Sequence, residues 1–117
     1  MPSKTVYTAT IQHLQILNEQ GQLDEKLAKD TLTDQEVLDL YQFMIRCRAL
    51  DEVAFKLQRS GRMGTYPQNK GQEACAIGSG YAAKKGEDFL VPCYRENAAL
   101  FMHGLPMHYI LLHWMGD

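Results

Sequence analysis

The sequence predicts a mainly helical portion of an α/β fold that contains one short strand. Two observations carry this prediction: apolar residues recur at helical spacing through much of the chain, and one short apolar run lies between turn-forming residues. A chain of 117 residues provides one domain with a modest core. Its hydrophobic fraction of 45% and charged fraction of 22% are ordinary for a folded soluble protein.

Residues 1–32 are predicted to form a polar N-terminal arm, and residues 33–117 the folded domain. Ile11 and Leu14 give the arm only a short apolar edge, which Gly21 interrupts. A segment of this kind is typically mobile or lies along a partner. The N-terminus lacks an apolar stretch followed by a small-residue cleavage site, so a secretory signal peptide is not predicted.

The domain begins with a long helix. Thr33 and Glu36 have the capping-box spacing, in which each side chain bonds the backbone amide of the other residue. Neither glycine nor proline follows until Gly61, and the apolar spacing predicts a helix of about seven turns. Phe43 and Phe55 widen its apolar surface, so we expect it to pack on more than one side. The periodic apolar positions are Val37, Leu40, Tyr41, Met44, Ala49, Val53 and Leu57.

A second helix is predicted from about Gly71 to Lys85, where Gly86 stops it. Its internal glycines, Gly78 and Gly80, each cost about 1 kcal/mol relative to alanine. The small residues around them form a face that another helix or backbone segment can approach closely. Such packing would offset the cost of the glycines.

The segment Asp88–Pro92 is the only predicted strand, because it is short, apolar and bounded by turn formers, as expected of a buried parallel strand. Two helices follow: Asn97–Met102, with Gly104 as its end signal, and Met107–Met115, with Pro106 in its first turn. The last helix is expected to face a core with Ile110, Leu111 and Trp114. A lone strand cannot pair with itself, so we expect further chain or an obligate partner to complete the fold.

Composition argues against several functional classes. The net charge is −2 and the basic residues are spread among acids, so neither nucleic acid nor an anionic membrane is an expected partner. No apolar run approaches the ~20 residues that a bilayer crossing requires. The cysteines form no CxxC pair and are expected to be reduced and packed as small apolar residues. The histidines near the C-terminus do not share a helix face. No metal site is therefore predicted from Cys47, Cys75, Cys93, His103, His108 and His113.

Tyr94 and Arg95 directly follow the predicted strand, at the position where open α/β sheets bind ligands. An arginine can bind two phosphate oxygens at once, and a neighbouring tyrosine can add a hydroxyl group and an aromatic wall. In the alternative interpretation, Arg95 pairs with Glu96 or Glu73 on the surface and Tyr94 is a core residue. The residues alone leave both interpretations open.

Gln72 and Glu73 open the second predicted helix, whose free amide groups favour anions. They fit equally well as ordinary first-turn residues, since the segment has neither a GxGxxG nor a Walker pattern. Neither a nucleophile elbow nor a pair of carboxylates at catalytic spacing is visible. No catalytic residue is therefore assigned.

A series of short blocks resembles, in order and at close to the same spacing, the start of the E1 alpha subunits of 2-oxo acid dehydrogenase complexes. The blocks lie within residues 33–117 and comprise Met44–Arg46, Leu50–Glu52, Leu57–Tyr66, Gly71–Ala74, Asp88–Phe89, Tyr94–Glu96 and His103–Pro106. The pyruvate-type bacterial subunits look most similar, because of Gly64–Pro67 and Gly71–Ala74. The branched-chain 2-oxo acid and acetoin enzymes rank second.

The resemblance implies the thiamine-diphosphate-binding fold, of which this chain is an N-terminal part. It also implies an oxidoreductase that decarboxylates a 2-oxo acid oxidatively and passes the acyl group to lipoyl-bearing E2. The implied partner is an E1 beta subunit, in a heterotetramer of two alpha and two beta subunits, in the bacterial cytoplasm between glycolysis and acetyl-CoA. Tyr94 and Arg95 match the family's cofactor-contacting pair, with Arg95 directed to the diphosphate. Tyr66 and Gln72 are placed in the vicinity of the substrate.

The sequence also departs from the family. Pro67 stands where some animal enzymes have a histidine. The family's magnesium and diphosphate motif, a Gly-Asp-Gly run with a downstream asparagine, lies beyond Asp117, and Gly116 with Asp117 is not that motif. Mg²⁺ is therefore expected to be held by residues outside this chain, and the chain alone to bind thiamine diphosphate weakly and to be inactive. The alternative function is a non-catalytic helical interaction module or a remnant fragment.

Overall fold

A computed structural model describes residues 2–29 and 31–116 of the chain. This described part contains five helices and no strand, so the chain is mainly helical. It divides into two units, Met1–Thr33 and Asp34–Asp117. The outer ends of the predicted arm and domain, Met1 and Asp117, lie outside the described residues.

The first unit has no buried residue among residues 2–29. Its regular structure consists of an isolated antiparallel bridge between Leu17 and Leu23 and a four-residue helix, α1, at Glu25–Ala28. Asp24 caps α1, because its carboxylate accepts hydrogen bonds of 3.0 and 3.1 Å from two amides of the first turn. That this arm is mobile or lies along a partner stays a prediction.

The second unit begins with α2, Asp34–Arg59, whose 26 residues confirm the predicted helix of about seven turns. Its buried residues are spaced by three or four positions and so lie on one face; they are Cys47, Leu50, Asp51 and Ala54. The apolar side chains of the other face are about half exposed, including Val37, Leu38, Tyr41, Ile45, Val53 and Phe55. The described residues thus cover one side of α2, and the predicted packing on more than one side is not met within them.

Helix α3 spans Glu73–Ala82, which makes it shorter at both ends than the predicted helix. Gly71 lies outside it with φ 91°, a left-handed conformation that favours glycine. A Cβ atom at Gly80 would lie 2.7 Å from the carbonyl oxygen of Ala99, so the predicted close approach is confirmed there. Gly78 has nothing within 4 Å of such an atom and takes no part in that approach.

The predicted buried strand at Asp88–Pro92 is wrong. The segment forms no ladder with any described residue, and Phe89 and Val91 are 96% and 93% exposed. A strand needs a neighbour that supplies its hydrogen bonds, and apolar periodicity alone cannot supply one. The α/β character predicted for this portion is therefore absent from the described structure, which is helical.

Helices α4, Asn97–His103, and α5, Met107–Met115, confirm the two predicted C-terminal helices. The end of α4 is set by Gly104, which is left-handed with φ 116°. The predicted core residues of α5 face inwards: Ile110 is buried, and Leu111 and Trp114 pack against the core.

Two small clusters line the buried face of α2. One joins α2, α3 and α4 through Cys47, Ala76, Ile77 and Ala98. The other joins α2 to the loop before α3 through Ala54, Met63 and Tyr66, with Leu111 and Trp114 of α5 packed against it. The loop is thereby fixed on the helix, and this positions the residues that precede α3.

The cysteines are free, as predicted. Cys47 is buried, and burial raises the pKa of its thiol to about 12, so it is an uncharged core residue. Cys75 and Cys93 are exposed, so the prediction that they pack as small apolar side chains is wrong. Cys75 is one helix position away from the buried Ala76 and therefore points off the core face.

Candidate functional site

The loop before α3 is held on α2 by a buried carboxylate. Asp51 accepts hydrogen bonds of 2.6 Å from the Tyr66 hydroxyl and 2.7 Å from the Asn69 backbone amide. Burial raises the pKa of Asp51, while these two hydrogen bonds act in the opposite direction. Two positions in this loop are thereby fixed to the same side chain.

A second carboxylate fixes the start of α3. Glu73 is buried and accepts from the Arg48 side chain and, at 2.9 Å, from the backbone amide of Gly71. The bond from Arg48 lowers the pKa of Glu73 to about 2. The carboxylate is therefore ionised at neutral pH and occupied by α2 and its own turn, so it is not the partner of Arg95.

A cleft of about 210 Å³ lies where the loop before α3, the outer face of α3 and the turn before α4 meet. It is lined by Asn69, Gln72, Cys75, Ala76, Ser79, Arg95 and Glu96. Complete small-molecule pockets usually have volumes of about 300–1,000 Å³, so this cleft has room for only part of a ligand. It brings together Arg95 and Gln72, which were singled out from the sequence.

Arg95 reaches back from the turn before α4 to the loop before α3. One guanidinium nitrogen donates a 2.7 Å hydrogen bond to the carbonyl oxygen of Gln68, and the guanidinium lies 5.4 Å from the Tyr94 ring centroid. No carboxylate among the described residues forms an ion pair with it. Tyr94 is 49% exposed, so the alternative of a surface Arg95 paired with Glu96 or Glu73 and a core Tyr94 is wrong.

Glu96 is the second charged residue of the cleft. Its carboxylate accepts hydrogen bonds of 2.9 and 3.0 Å from the backbone amides of Cys93 and Tyr94. The bond from Cys93, followed by that from Tyr94, lowers the pKa of Glu96, so it stays ionised. The formal charges of Arg95 and Glu96 cancel, and the lining of the cleft is neutral overall.

Asn69 is the functional candidate that the sequence did not reveal. Its side chain is in a residue only 4% exposed, and neither its carboxamide oxygen nor its nitrogen has a hydrogen-bond partner in the described structure. Buried polar groups are nearly always bonded, and leaving one unsatisfied costs about 1–3 kcal/mol. A polar residue between Pro67 and Gly71 signals a turn, but its burial depends on contacts that no local pattern encodes.

Tyr66 is placed apart from the cleft. It is 5% exposed, meets the Trp114 ring edge-on at 5.8 Å, and donates its hydroxyl hydrogen to Asp51. Burial raises the pKa of this hydroxyl, which keeps it a donor. Its predicted place on the approach to the substrate stays a prediction, whereas its contacts here are those of a core residue.

Within residues 2–29 and 31–116, no group of three or more histidine, cysteine or acidic side chains is arranged to hold a metal ion. None of the helices in this part of the chain has the length and apolar character needed to cross a bilayer.

Comparison with known proteins gives a family match and several relatives. The family model of the dehydrogenase E1 component matches residues 41–117. The pyruvate dehydrogenase E1 component subunit alpha of Bacillus cereus is 38% identical over 113 residues, which cover 93% of this chain and 30% of that protein. The proteins of the same name from Bacillus subtilis and Staphylococcus aureus are each 41% identical, over 84% and 80% of this chain.

The chain covers 26% and 25% of the lengths of those last two relatives, so it spans about a quarter to a third of the curated proteins that it matches. The comparison with solved structures gave no match.

Proposed function

The chain belongs to the dehydrogenase E1 component family, and on that premise we propose that it acts as the N-terminal part of the alpha subunit of a pyruvate dehydrogenase-type complex. The complete enzyme would carry out thiamine-diphosphate-dependent oxidative decarboxylation of pyruvate and transfer the acetyl group to a lipoyl group on E2. The alpha-subunit names of the relatives and the coverage of 80–93% of this chain support this assignment over an unrelated interaction module. The observation that carries the site is the cleft that Arg95 shares with Asn69 and Gln72.

The residues of the cleft fit the diphosphate end of the cofactor. Arg95 donates one hydrogen bond to a neutral carbonyl oxygen. Its charged guanidinium has further N–H donors that can bind phosphate oxygens. Gln72 lines the same cleft, whereas Tyr94 is not among the lining residues and its ring lies beside the guanidinium of Arg95. Thiamine diphosphate, when bound, supplies the carbon nucleophile for the decarboxylation. This chain's own contribution is to bind and orient the phosphates.

The neutral lining of the cleft supports a shared site. A diphosphate carries several negative charges, and here Glu96 offsets the single positive charge of Arg95. We therefore assign the magnesium ion that must complete the site to residues outside this chain. The rest of the alpha subunit and an E1 beta subunit, in a heterotetramer of two alpha and two beta subunits, would supply them.

The broader setting follows from the same premise. The relatives come from Bacillus and Staphylococcus, and they are named for pyruvate. These names support pyruvate over branched-chain 2-oxo acids or acetoin as the substrate. We place the enzyme in the bacterial cytoplasm, between glycolysis and acetyl-CoA.

The test is an Arg95→Ala variant in the assembled enzyme, with this segment joined to the rest of the alpha subunit and E1 beta. Loss of a charge-assisted contact should weaken thiamine diphosphate binding roughly 10- to 100-fold, measured by calorimetry with excess Mg²⁺. Arg62→Ala is the matched control, because Arg62 is exposed and does not line the cleft. Unchanged affinity in the Arg95 variant would remove Arg95 from the site, and an assembled enzyme that binds no cofactor would contradict the function.

A further inference from the structure

We propose that Asn69 binds the diphosphate group of the cofactor beside Arg95, with its carboxamide N–H donating to a phosphate oxygen. This inference rests on the proposed function and adds to it a ligand-contact residue that the Tyr94 and Arg95 pair does not include. It starts from Asn69, a residue that lines the cleft, is 4% exposed and has a buried carboxamide without a hydrogen-bond partner in the described structure.

The backbone of Asn69 is fixed on both sides, so its side chain is not misplaced by a loose loop. The backbone N–H donates to Asp51 at 2.7 Å, and the backbone carbonyl oxygen accepts from the amide of Gln72 at 2.8 Å. A rigid turn therefore holds a polar side chain where none of the described residues offers it a hydrogen-bond partner. A buried polar group of this kind is expected to meet its partner in a bound molecule.

Arg95 and Asn69 converge on the same small space. The guanidinium of Arg95 is bonded to the carbonyl oxygen of Gln68, the residue directly before Asn69. The cleft of about 210 Å³ that both line is below the usual size for a complete small-molecule ligand. A cleft of this size has room for one compact anion, such as a diphosphate, beside both residues.

The chemistry of a carboxamide suits this place. Because the charges of Arg95 and Glu96 cancel, a neutral N–H donor adds attraction for an anion and brings no further negative charge. Either orientation of the amide group provides this donor, since both of its polar atoms lack partners in the described structure.

The experiment measures binding and stability separately in the assembled enzyme. Calorimetry with excess Mg²⁺ uses two probes, thiamine diphosphate and inorganic diphosphate, on Asn69→Ala and Asn69→Asp. Asn69→Ala should weaken the binding of both probes about tenfold, as expected for the loss of a hydrogen bond to a charged group. Asn69→Asp should weaken the binding of both probes further, because it places a carboxylate beside the phosphates. Without ligand, the unfolding temperature of Asn69→Ala should stay close to that of the wild type, because no side-chain hydrogen bond is lost and only the packing of a small side chain changes.

Gln68→Ala is the matched control, because it lies in the same turn, its side chain does not line the cleft, and its backbone carbonyl is retained. Unchanged affinity of Asn69→Ala for both probes would overturn the inference, and so would a lower unfolding temperature without loss of affinity. If Asn69→Ala binds thiamine diphosphate more weakly but inorganic diphosphate with unchanged affinity, the contact is to the organic part of the cofactor. That result would overturn the diphosphate assignment. If Arg95→Ala weakens binding and Asn69→Ala does not, this inference alone fails and the proposed function stands.

Discussion

Each of three carboxylates near the cleft is held by a different set of hydrogen-bond donors. Asp51 holds the loop before α3, Glu73 holds the start of α3 on Arg48, and Glu96 holds the turn before α4. Their lone pairs are directed to fixed N–H and O–H groups of the protein. These residues therefore position the loops around the cleft and are poorly suited to exchanging protons with a substrate.

The pairing of Glu73 with Arg48 predicts a pH dependence of stability. The pKa of Glu73 is lowered from 4.5 to about 2 in the folded protein, so its stabilising contribution is complete above pH 4.5 and is lost as the pH falls towards 2. Glu73→Gln lacks this contribution. The difference in free energy of unfolding between the wild-type chain and the variant should therefore shrink over that pH range.

Urea denaturation at a series of pH values measures this difference. The pKa of Asp51 is raised mainly by burial, which both proteins share, so only the smaller effect of the Glu73 charge on Asp51 differs between them. Glu52→Gln serves as the control, because Glu52 is an exposed acid on the same helix. A difference between wild type and Glu73→Gln that stays constant with pH would show that the ion pair does not titrate in this way.

At the residue scale, the sequence singled out side chains that carry a chemical signature and did not single out Asn69, whose burial depends on the tertiary structure. Arg95 and Gln72 lie on one cleft, as a shared role requires. Asn69 was missed because an asparagine in a turn is ordinary, and only the tertiary structure removes its partners. Tyr66 was selected through family resemblance, and its hydroxyl is directed to Asp51 in the core.

At the scale of elements, helices were predictable because their signals are local. Capping residues, glycine stop signals and apolar spacing gave the bounds of α5 and placed the ends of α2 and α4 within a few residues. The segment 88–92 failed as a strand because pairing is a property of two segments, and the sequence of one cannot reveal the other. The predicted α3 starts too early, because Gly71 is left-handed and belongs to the turn before the helix.

The contact between α3 and α4 gives a prediction with an internal control. A methyl group at Gly80 would lie 2.7 Å from the Ala99 carbonyl oxygen, so the two helices must separate to admit it. Gly80→Ala should therefore destabilise the fold by about 1–3 kcal/mol, as overpacking does. Gly78→Ala, in open space on the same helix, should stabilise it by about 0.5–1 kcal/mol through helix propensity.

Urea denaturation midpoints of the two variants test this packing. Opposite signs of the change in unfolding free energy are expected, although the two substitutions are chemically identical and two residues apart. Equal changes in both variants would mean that helix propensity alone sets their effect and that α3 and α4 are not in tight contact.

At the scale of the whole molecule, the chain leaves large apolar areas uncovered. Apolar side chains on the outer face of α2 are about half exposed in the described structure, and those of Phe89 and Val91 are almost fully exposed. The cleft is small and carries no net charge. Both features are what we expect of a portion that contributes one wall of a larger active site.

The last prediction follows from this shared site. The isolated chain offers a diphosphate one guanidinium, whose charge Glu96 offsets, and no group of three metal-ligating side chains occurs among its described residues. We expect calorimetry of the isolated chain with thiamine diphosphate and Mg²⁺ to show binding at least about 100-fold weaker than in the assembled enzyme, since the contacts to the metal and the organic part of the cofactor are missing. The control is the same titration after the rest of the alpha subunit and E1 beta are restored. Tight, magnesium-dependent binding by the isolated chain would contradict the prediction, because it would require this neutral cleft to hold the whole cofactor alone.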